Sequence, residues 1–246
     1  MRAVMSELLN KVLDAYGGVD RWRALTTITA RGRVGGLLPQ RFPGNKLSNF
    51  TVEVSPAEQR TVLHDFPQPG RLGVFDRGQA RIETADGEVI DFRTNPRTAF
   101  FGLSGLRRNV RWDRSDTTYF AGYAFWNYLT SPLLLTYPGI IVTEGRPCQI
   151  AGRRWRELQA TFPGTIHTHC RQQTFYVDDD GLIGRHDFRA EPVGTWANAT
   201  LLCSQYRTID GLVFPTQRRV LARGPRHSVM SLPTLLALDF DEINVH

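Results

Sequence analysis

"WDRSDTTYFAGYAFWNYLTSPLLLTY", residues 112–137, interrupts a chain that otherwise has the pattern of short strands. The segment is rich in aromatic residues up to Leu129, and Ser115 or Asp116 can cap a helix at its start. Pro132 stops or kinks this helix, because proline has no backbone amide hydrogen to donate. A second apolar turn follows at residues 133–135. The segment therefore predicts a central helical insert in a β-rich chain.

Antiparallel strands are predicted on both sides of this insert. Runs such as "NFTVEVSP" (49–56), "ATLLCSQYRTI" (199–209) and "LALDFDEINV" (236–245) are rich in residues that favour strands, and Pro, Gly or Asp bounds the runs. The turn "ADGE" (85–88) favours a hairpin, because Asp-Gly tolerates positive φ angles. Strands and helices do not alternate along the chain, as they would in a protein with a parallel sheet. The pattern predicts one domain, residues 1–246, built mainly from an antiparallel meander.

An amphipathic helix is predicted before the first strand. Residues 4–16 carry apolar side chains at helical spacing, and Gly17 and Gly18 end the helix. The order of features is then a helix ending in "AYGG" (15–18), a first strand in "RWRALTTITARGRV" (21–34), a meander with the helical insert, and hairpins in "DDDGLIGRHDF" (178–188) and "DGLVFPTQRRV" (210–220).

This order resembles the superfamily of the outer-membrane lipoprotein carrier LolA. The resemblance implies a mainly β fold, in which a curved antiparallel sheet forms an incomplete barrel covered by the N-terminal helix and the central insert. It also implies an apolar cavity between sheet and helices, since members of that superfamily carry lipidated or otherwise hydrophobic molecules. No ligand-binding residue of the carriers can be aligned here, and a fold can be shared without its function.

Composition and motifs exclude several classes of protein function. The 246 residues carry a net charge of +6, with 41% hydrophobic and 22% charged residues, which is typical of a globular protein. No nucleic-acid-binding, nucleotide-binding or membrane-spanning pattern is present, so we expect no nucleic-acid partner, no integral membrane segment and no cofactor. Three cysteines and the absence of an export signal predict a cytoplasmic protein with free thiols, in contrast to the exported carriers.

The stretch "IHTHCRQQTFYVDDDGLIGRHDFRA" (166–190) contains three of the six histidines. A three-residue loop at 179–181 sets Thr174 opposite His186 and places His186 on one face with Tyr176. A two-residue loop would slip the register by one residue and move His186 to the face of His167 and His169. In the first register the histidines do not converge, so we expect His167 and His169 to be exposed strand residues and no metal to be bound.

His186 is the candidate catalytic residue. Its predicted face also carries Phe188 and is apolar, so burial would shift its proton affinity and could make it a general acid or base. Tyr176 and Cys203, from neighbouring strands, are the candidate partners, with Ser204 as an alternative to Cys203. The other interpretation is a core histidine bonded to Tyr176 or a backbone carbonyl.

The aromatic insert is the candidate ligand-binding wall. Tyr119, Tyr123 and Trp126, together with Phe188, would line an apolar pocket, while the rest of the insert packs on the sheet. We therefore expect a protein that binds a hydrophobic small molecule or an acyl chain. Two alternatives are a cofactor-independent isomerase, cyclase or hydrolase on the same scaffold and a structural domain without a cavity. The ligand, any reaction and the oligomeric state stay open.

Overall fold

Fourteen antiparallel strands form one sheet in the computed structural model, which describes residues 6–42, 47–102 and 111–246. The spatial order is β6-β5-β4-β3-β2-β1-β14-β13-β12-β11-β10-β9-β7, and β8 pairs with β9. The first and last strands, β1 and β14, are therefore central neighbours. The strands are β1 (Ile28–Gly35), β2 (Asn49–Ser55), β3 (Arg60–His64), β4 (Arg71–Asp76), β5 (Gln79–Thr84), β6 (Val89–Arg93), β7 (Ile141–Glu144), β8 (Cys148–Ile150), β9 (Arg153–Thr161), β10 (Gln172–Val177), β11 (Ile183–Arg189), β12 (Asn198–Ile209), β13 (Leu212–Ala222) and β14 (Leu236–Val245).

The sheet stays open, with β6 at one edge and β7 at the other. Three α-helices lie in the described part of the chain: α1 (Glu7–Ala15), α2 (Val19–Arg23) and α3 (Arg114–Thr130). The predicted incomplete barrel with an N-terminal and a central helix is confirmed. Within the same residues, no helix combines the length and the apolar character needed to cross a bilayer.

Helix α3 is the centre of the core. All its residues from 115 to 130 are buried, so the helix carries aromatic and other apolar side chains on every side rather than on one face. Asp113, not the predicted Ser115 or Asp116, is the N-cap: its side chain accepts from the backbone N–H of Asp116, whose carboxylate accepts from the N–H of Asp113. The helix ends at Thr130, two residues before Pro132, as predicted.

Glycine at position 122 lets α3 approach the sheet closely. A Cβ atom at Gly122 would lie 2.2 Å from the Cβ of Phe75 on β4. The hydroxyl of Thr61 on β3 donates to the carbonyl of Gly122 at 2.9 Å. Helix α3 therefore fills the inner face of β2–β5, the half of the sheet that precedes it in the chain.

Helices α1 and α2 pack at the other end of the sheet. Ser6 caps α1 by accepting from the N–H of Leu9, so the helix begins at Glu7; residues 4 and 5 of the predicted helix lie outside the described residues. The Leu8 N–H donates to the carboxylate of Glu144 at 2.8 Å. Trp22 of α2 packs against Phe214 and donates to the carbonyl of Tyr16, which joins the N-terminus to β13.

Candidate ligand-binding site

A β-bulge changes the register of the β10–β11 hairpin. The loop has the predicted length, since the N–H of Asp178 donates to the carbonyl of Leu182 at 2.9 Å. Beyond it, Val177 faces Ile183 but Tyr176 faces Arg185, so Gly184 is the extra residue. A Cβ at Gly184 would lie 2.8 Å from the ring of Trp155. The predicted pairing of Thr174 with His186 is therefore wrong: Phe175 faces His186.

The bulge separates two of the predicted catalytic partners. His186 lies on the inner face, the face that packs against α3, where its ring stacks on Phe175 with centroids 4.1 Å apart. Its Nε2 donates to the side-chain carbonyl of Gln173 at 2.6 Å. Tyr176 lies on the outer face and is bonded to Asp187 and His227. The predicted contact between His186 and Tyr176 is wrong, because adjacent residues of a strand point to opposite faces.

On the outer face, Tyr176 belongs to a polar network. Arg185 binds Asp187 through two hydrogen bonds of 2.8 and 2.9 Å, and Thr200 donates to the same carboxylate. Arg185 also donates to the backbone carbonyl of His227 at 3.0 Å. Both charged groups of the Arg185–Asp187 ion pair are buried. Through these bonds the network joins β10, β11 and β12 to the 225–227 turn, on the side of the sheet away from α3.

The surroundings of Cys203 do not favour its thiolate. Burial raises the pKa of its thiol, which opposes formation of the thiolate. The Nη1 of Arg218 donates to the sulfur at 3.8 Å. Arg218 is itself engaged with the carbonyl of Tyr128 at the C-terminal end of α3, at 2.7 Å. Among the described residues, no carboxylate or imidazole is hydrogen-bonded to the Cys203 thiol as a general base would be.

His167 and His169 are not exposed strand residues, contrary to the prediction. They lie in the 162–171 loop, which folds over the inner face and contacts α3. His169 is buried, with Nδ1 3.1 Å from the Tyr123 hydroxyl and Nε2 3.0 Å from the Tyr128 hydroxyl. His167 Nδ1 lies 3.0 Å from the Tyr119 hydroxyl. We call these five residues the histidine–tyrosine cluster.

The histidine–tyrosine cluster holds neutral imidazoles. Burial, helped by the positive charge of Arg97, lowers the pKa of His169 to about 3 and that of His167 to about 4. Burial likewise lowers the pKa of His186. A base with so low a pKa is almost fully unprotonated near pH 7 but has little affinity for a proton. The geometry therefore favours a structural role, in which the cluster fastens the 162–171 loop to α3.

No metal centre is formed by the histidines. Within residues 6–42, 47–102 and 111–246, no three His, Cys, Asp or Glu side chains are grouped so that they could hold a metal ion. His169 has both ring nitrogens hydrogen-bonded to tyrosines, which occupies the atoms that a metal would need.

A cavity of about 370 Å³ opens beside the cluster. It lies over inner-face residues of β12–β14, beside α3. Its floor includes Phe188, His169, Phe120 and Tyr128. The walls come from residues 37–41, 190–198, 220–223 and 235–236 and include Leu37, Leu38, Arg41, Ala190, Val193, Trp196, Val220, Arg223 and Leu236.

Only part of the predicted ligand wall lines this cavity. Phe188 does, with its ring stacked on His169 at 4.1 Å. Tyr119 and Tyr123 are buried in the histidine–tyrosine cluster, and the Trp126 indole donates to the carbonyls of Ser55 and Glu58. Helix α3 presents Phe120 and Tyr128 to the cavity instead.

The cavity's lip consists of exposed apolar side chains that the sequence analysis did not select. Trp196 is 71% exposed and Leu37 is 44% exposed. Trp196 lies in the turn-rich segment "EPVGTWANAT" (191–200). A large aromatic residue in such a loop is the feature of the sequence that could have indicated a binding residue. A narrow apolar seam of about 20 Å³ adjoins the cavity between α3 and β1–β14 and shares Phe120, Tyr128 and Leu236 with it.

Comparison with known proteins supports the fold. No protein-family model matches the chain, and no curated protein does. Among solved structures, a LolA superfamily protein from Nitrosomonas europaea has a TM-score of 0.57 at 11% identity, covering 99% of this chain and 94% of that one. A DUF1329 family protein from Desulfovibrio piger has a TM-score of 0.51 at 16% identity (98% and 94% covered). A putative outer membrane lipoprotein-sorting protein domain from Vibrio parahaemolyticus has a TM-score of 0.52 at 9% identity (98% and 91% covered).

Proposed function

We propose that this LolA-like fold binds a hydrophobic small molecule or a single acyl chain in the cavity over β12–β14. The observation that carries the proposal is the cavity itself, which is within the roughly 300–1,000 Å³ range of small-molecule sites. Its floor is aromatic and its walls are largely aliphatic, so transfer of an apolar chain from water is favourable by about 0.8 kcal/mol per buried methylene.

The exposed lip supports entry of such a ligand from solution or from another surface. Trp196 and Leu37 flank the opening and expose apolar area that a bound chain would cover. The fold likeness is consistent with this role, since the Vibrio parahaemolyticus protein is described as a lipoprotein-sorting domain. That description concerns the other protein, and the proposal for this chain rests on the cavity.

An uncharged apolar dye tests the proposal. N-phenyl-1-naphthylamine should bind the parent protein with increased fluorescence, and Ala222→Phe, which places a ring in the cavity wall, should weaken binding several-fold. Ala85→Phe, in the exposed β5–β6 turn, is the matched control and should bind as the parent does. Absence of dye binding, or equal binding by both variants, would contradict the proposal.

We also propose a cytoplasmic location, which the cysteines support. Cys148, Cys170 and Cys203 are all free thiols in the described residues, as expected in a reducing compartment. Fractionation of cells expressing the epitope-tagged chain tests this location, and recovery outside the cytoplasmic fraction would contradict it.

A further inference from the structure

The cavity carries positive charge without a matching negative charge. Among its described lining residues, Arg41 and Arg223 are basic and none is acidic. His169 is the remaining titratable base there and is neutral, for the reasons given above. A ligand that brought a negative charge to this lining would meet no carboxylate.

Arg41 differs from Arg223 in lacking a partner. The Nε of Arg223 lies 3.6 Å from the Asp187 carboxylate. The guanidinium of Arg41 makes no hydrogen bond or ion pair with any described residue, and its Nη1 is shielded from solvent. The undescribed ranges, 1–5, 43–46 and 103–110, contain no aspartate or glutamate.

An unpaired guanidinium in this position is unfavourable for the empty protein. Burial lowers the pKa of Arg41, which reflects the loss of water around the charge without a compensating anion. Arg41 is half-buried and its shielded Nη1 has no acceptor, which costs free energy, whereas a charge-assisted hydrogen bond from Nη1 to a carboxylate would remove that cost. The planar guanidinium suits a two-oxygen acceptor in particular.

From the unpaired guanidinium at the wall of an apolar cavity, we propose that the ligand is a single-chain amphiphile with a carboxylate headgroup, which Arg41 binds while the chain lies against Phe188 and Phe120. This inference rests on the proposed binding function and specifies its ligand class. The cavity volume is near the lower end for ligand sites, which favours one chain over a lipid with several chains.

Dodecanoate and dodecanol, measured by calorimetry at pH 8 and below micellar concentrations, separate the headgroup from the chain. The parent protein should bind dodecanoate roughly tenfold more tightly than dodecanol, as one charge-assisted hydrogen bond allows. Arg41→Met keeps an unbranched apolar stem but removes the charge, so it should abolish this preference without weakening the binding of dodecanol. Arg31→Met is the control, because Arg31 is exposed on β1 outside the cavity and should retain the preference.

Thermal unfolding of the unliganded variants supplies a second measurement. Arg41→Met should unfold at the same temperature as the parent or higher, since it removes an unpaired charge. A large loss of stability would show that Arg41 has a structural role and would overturn the proposal. Equal affinity of the parent for both ligands, or a retained preference in Arg41→Met, would overturn it while leaving the proposed function intact. Binding of neither ligand would overturn both.

Discussion

Two tryptophans show how differently the two halves of the inner face are built. Trp126 is 1% exposed, lies in the half filled by α3, and gives its indole N–H to two backbone carbonyls. Trp196 is mostly exposed and stands at the lip of the cavity over β12–β14. In one half a helix occupies the space within the curved sheet; in the other half, over β12–β14, part of that space is left as a cavity. The same residue type therefore stabilises the fold in the first half and is available to a ligand in the second.

Trp126→Ala should give the largest effect and would break the filled half. Removing a buried tryptophan from a packed core costs about 3–5 kcal/mol of unfolding free energy, and here two carbonyls also lose their donor. Chemical denaturation of the parent and the variant measures the loss. A loss below about 1 kcal/mol would show that α3 is loosely packed and that Trp126 borders an open space after all.

The second largest effect is expected from acid, which should lower the unfolding free energy through His169 in the filled half. Its pKa in the folded protein is about 3, below the roughly 6.5 of an unfolded chain, so only the unfolded state takes up a proton between these values. The unfolding free energy therefore falls as the pH falls below about 6.5, by about 1–2 kcal/mol from this residue by pH 5. Urea unfolding at pH 7.5, 6 and 5 measures the slope.

His169→Gln should reduce this pH dependence by the contribution of one histidine and leave that of His167 and His186, even though it lowers stability at pH 7.5 by removing bonds to Tyr123 and Tyr128. His64→Gln is the matched control, because His64 on β3 is partly exposed and lies 4.0 Å from Glu53. Equal slopes in the parent and His169→Gln would show that His169 is accessible to protons in the folded protein.

Trp196→Ala should have the smallest effect on stability and so sharpens the comparison. An exposed side chain outside the core changes the unfolding free energy by no more than about 0.5 kcal/mol. The variant should, however, lose most of the change in tryptophan fluorescence that dodecanoate produces in the parent, because the other tryptophans are buried. A stability loss similar to that of Trp126→Ala would mean that the lip is part of the core.

Much of the fold could be predicted from the sequence because its signals are local. The all-round apolar and aromatic segment before Pro132 gives α3, and Asp-Gly at 86–87 gives the β5–β6 hairpin. The hairpin at 178–182 has the predicted loop, since its turn residues are contiguous. By contrast, the N-cap was misplaced by two or three residues because Ser115, Asp116 and Asp113 are all acceptable caps by residue type.

The candidate site was predicted less well because it depends on distant segments. One bulged residue, Gly184, places Tyr176 and His186 on opposite faces, and its lack of a side chain leaves room for the ring of Trp155 on another strand. His167 and His169 are polar by composition, yet Tyr119, Tyr123 and Tyr128 bury them from 41 to 48 positions away. Partners so distant in the sequence cannot be inferred from the spacing of the histidines.

The sequence by itself determined the mainly β class, the central helix and the helix that precedes the first strand, because periodicity and turn chemistry act over a few residues. Only the tertiary structure decided which half of the inner face α3 fills, which aromatic residues it presents to the cavity, and that Arg41 lies there without a partner. Those outcomes depend on long-range strand order and on loops brought together from positions 37–41 and 190–197. Their physical cause is close packing, which couples every side chain to neighbours that are far away in the chain.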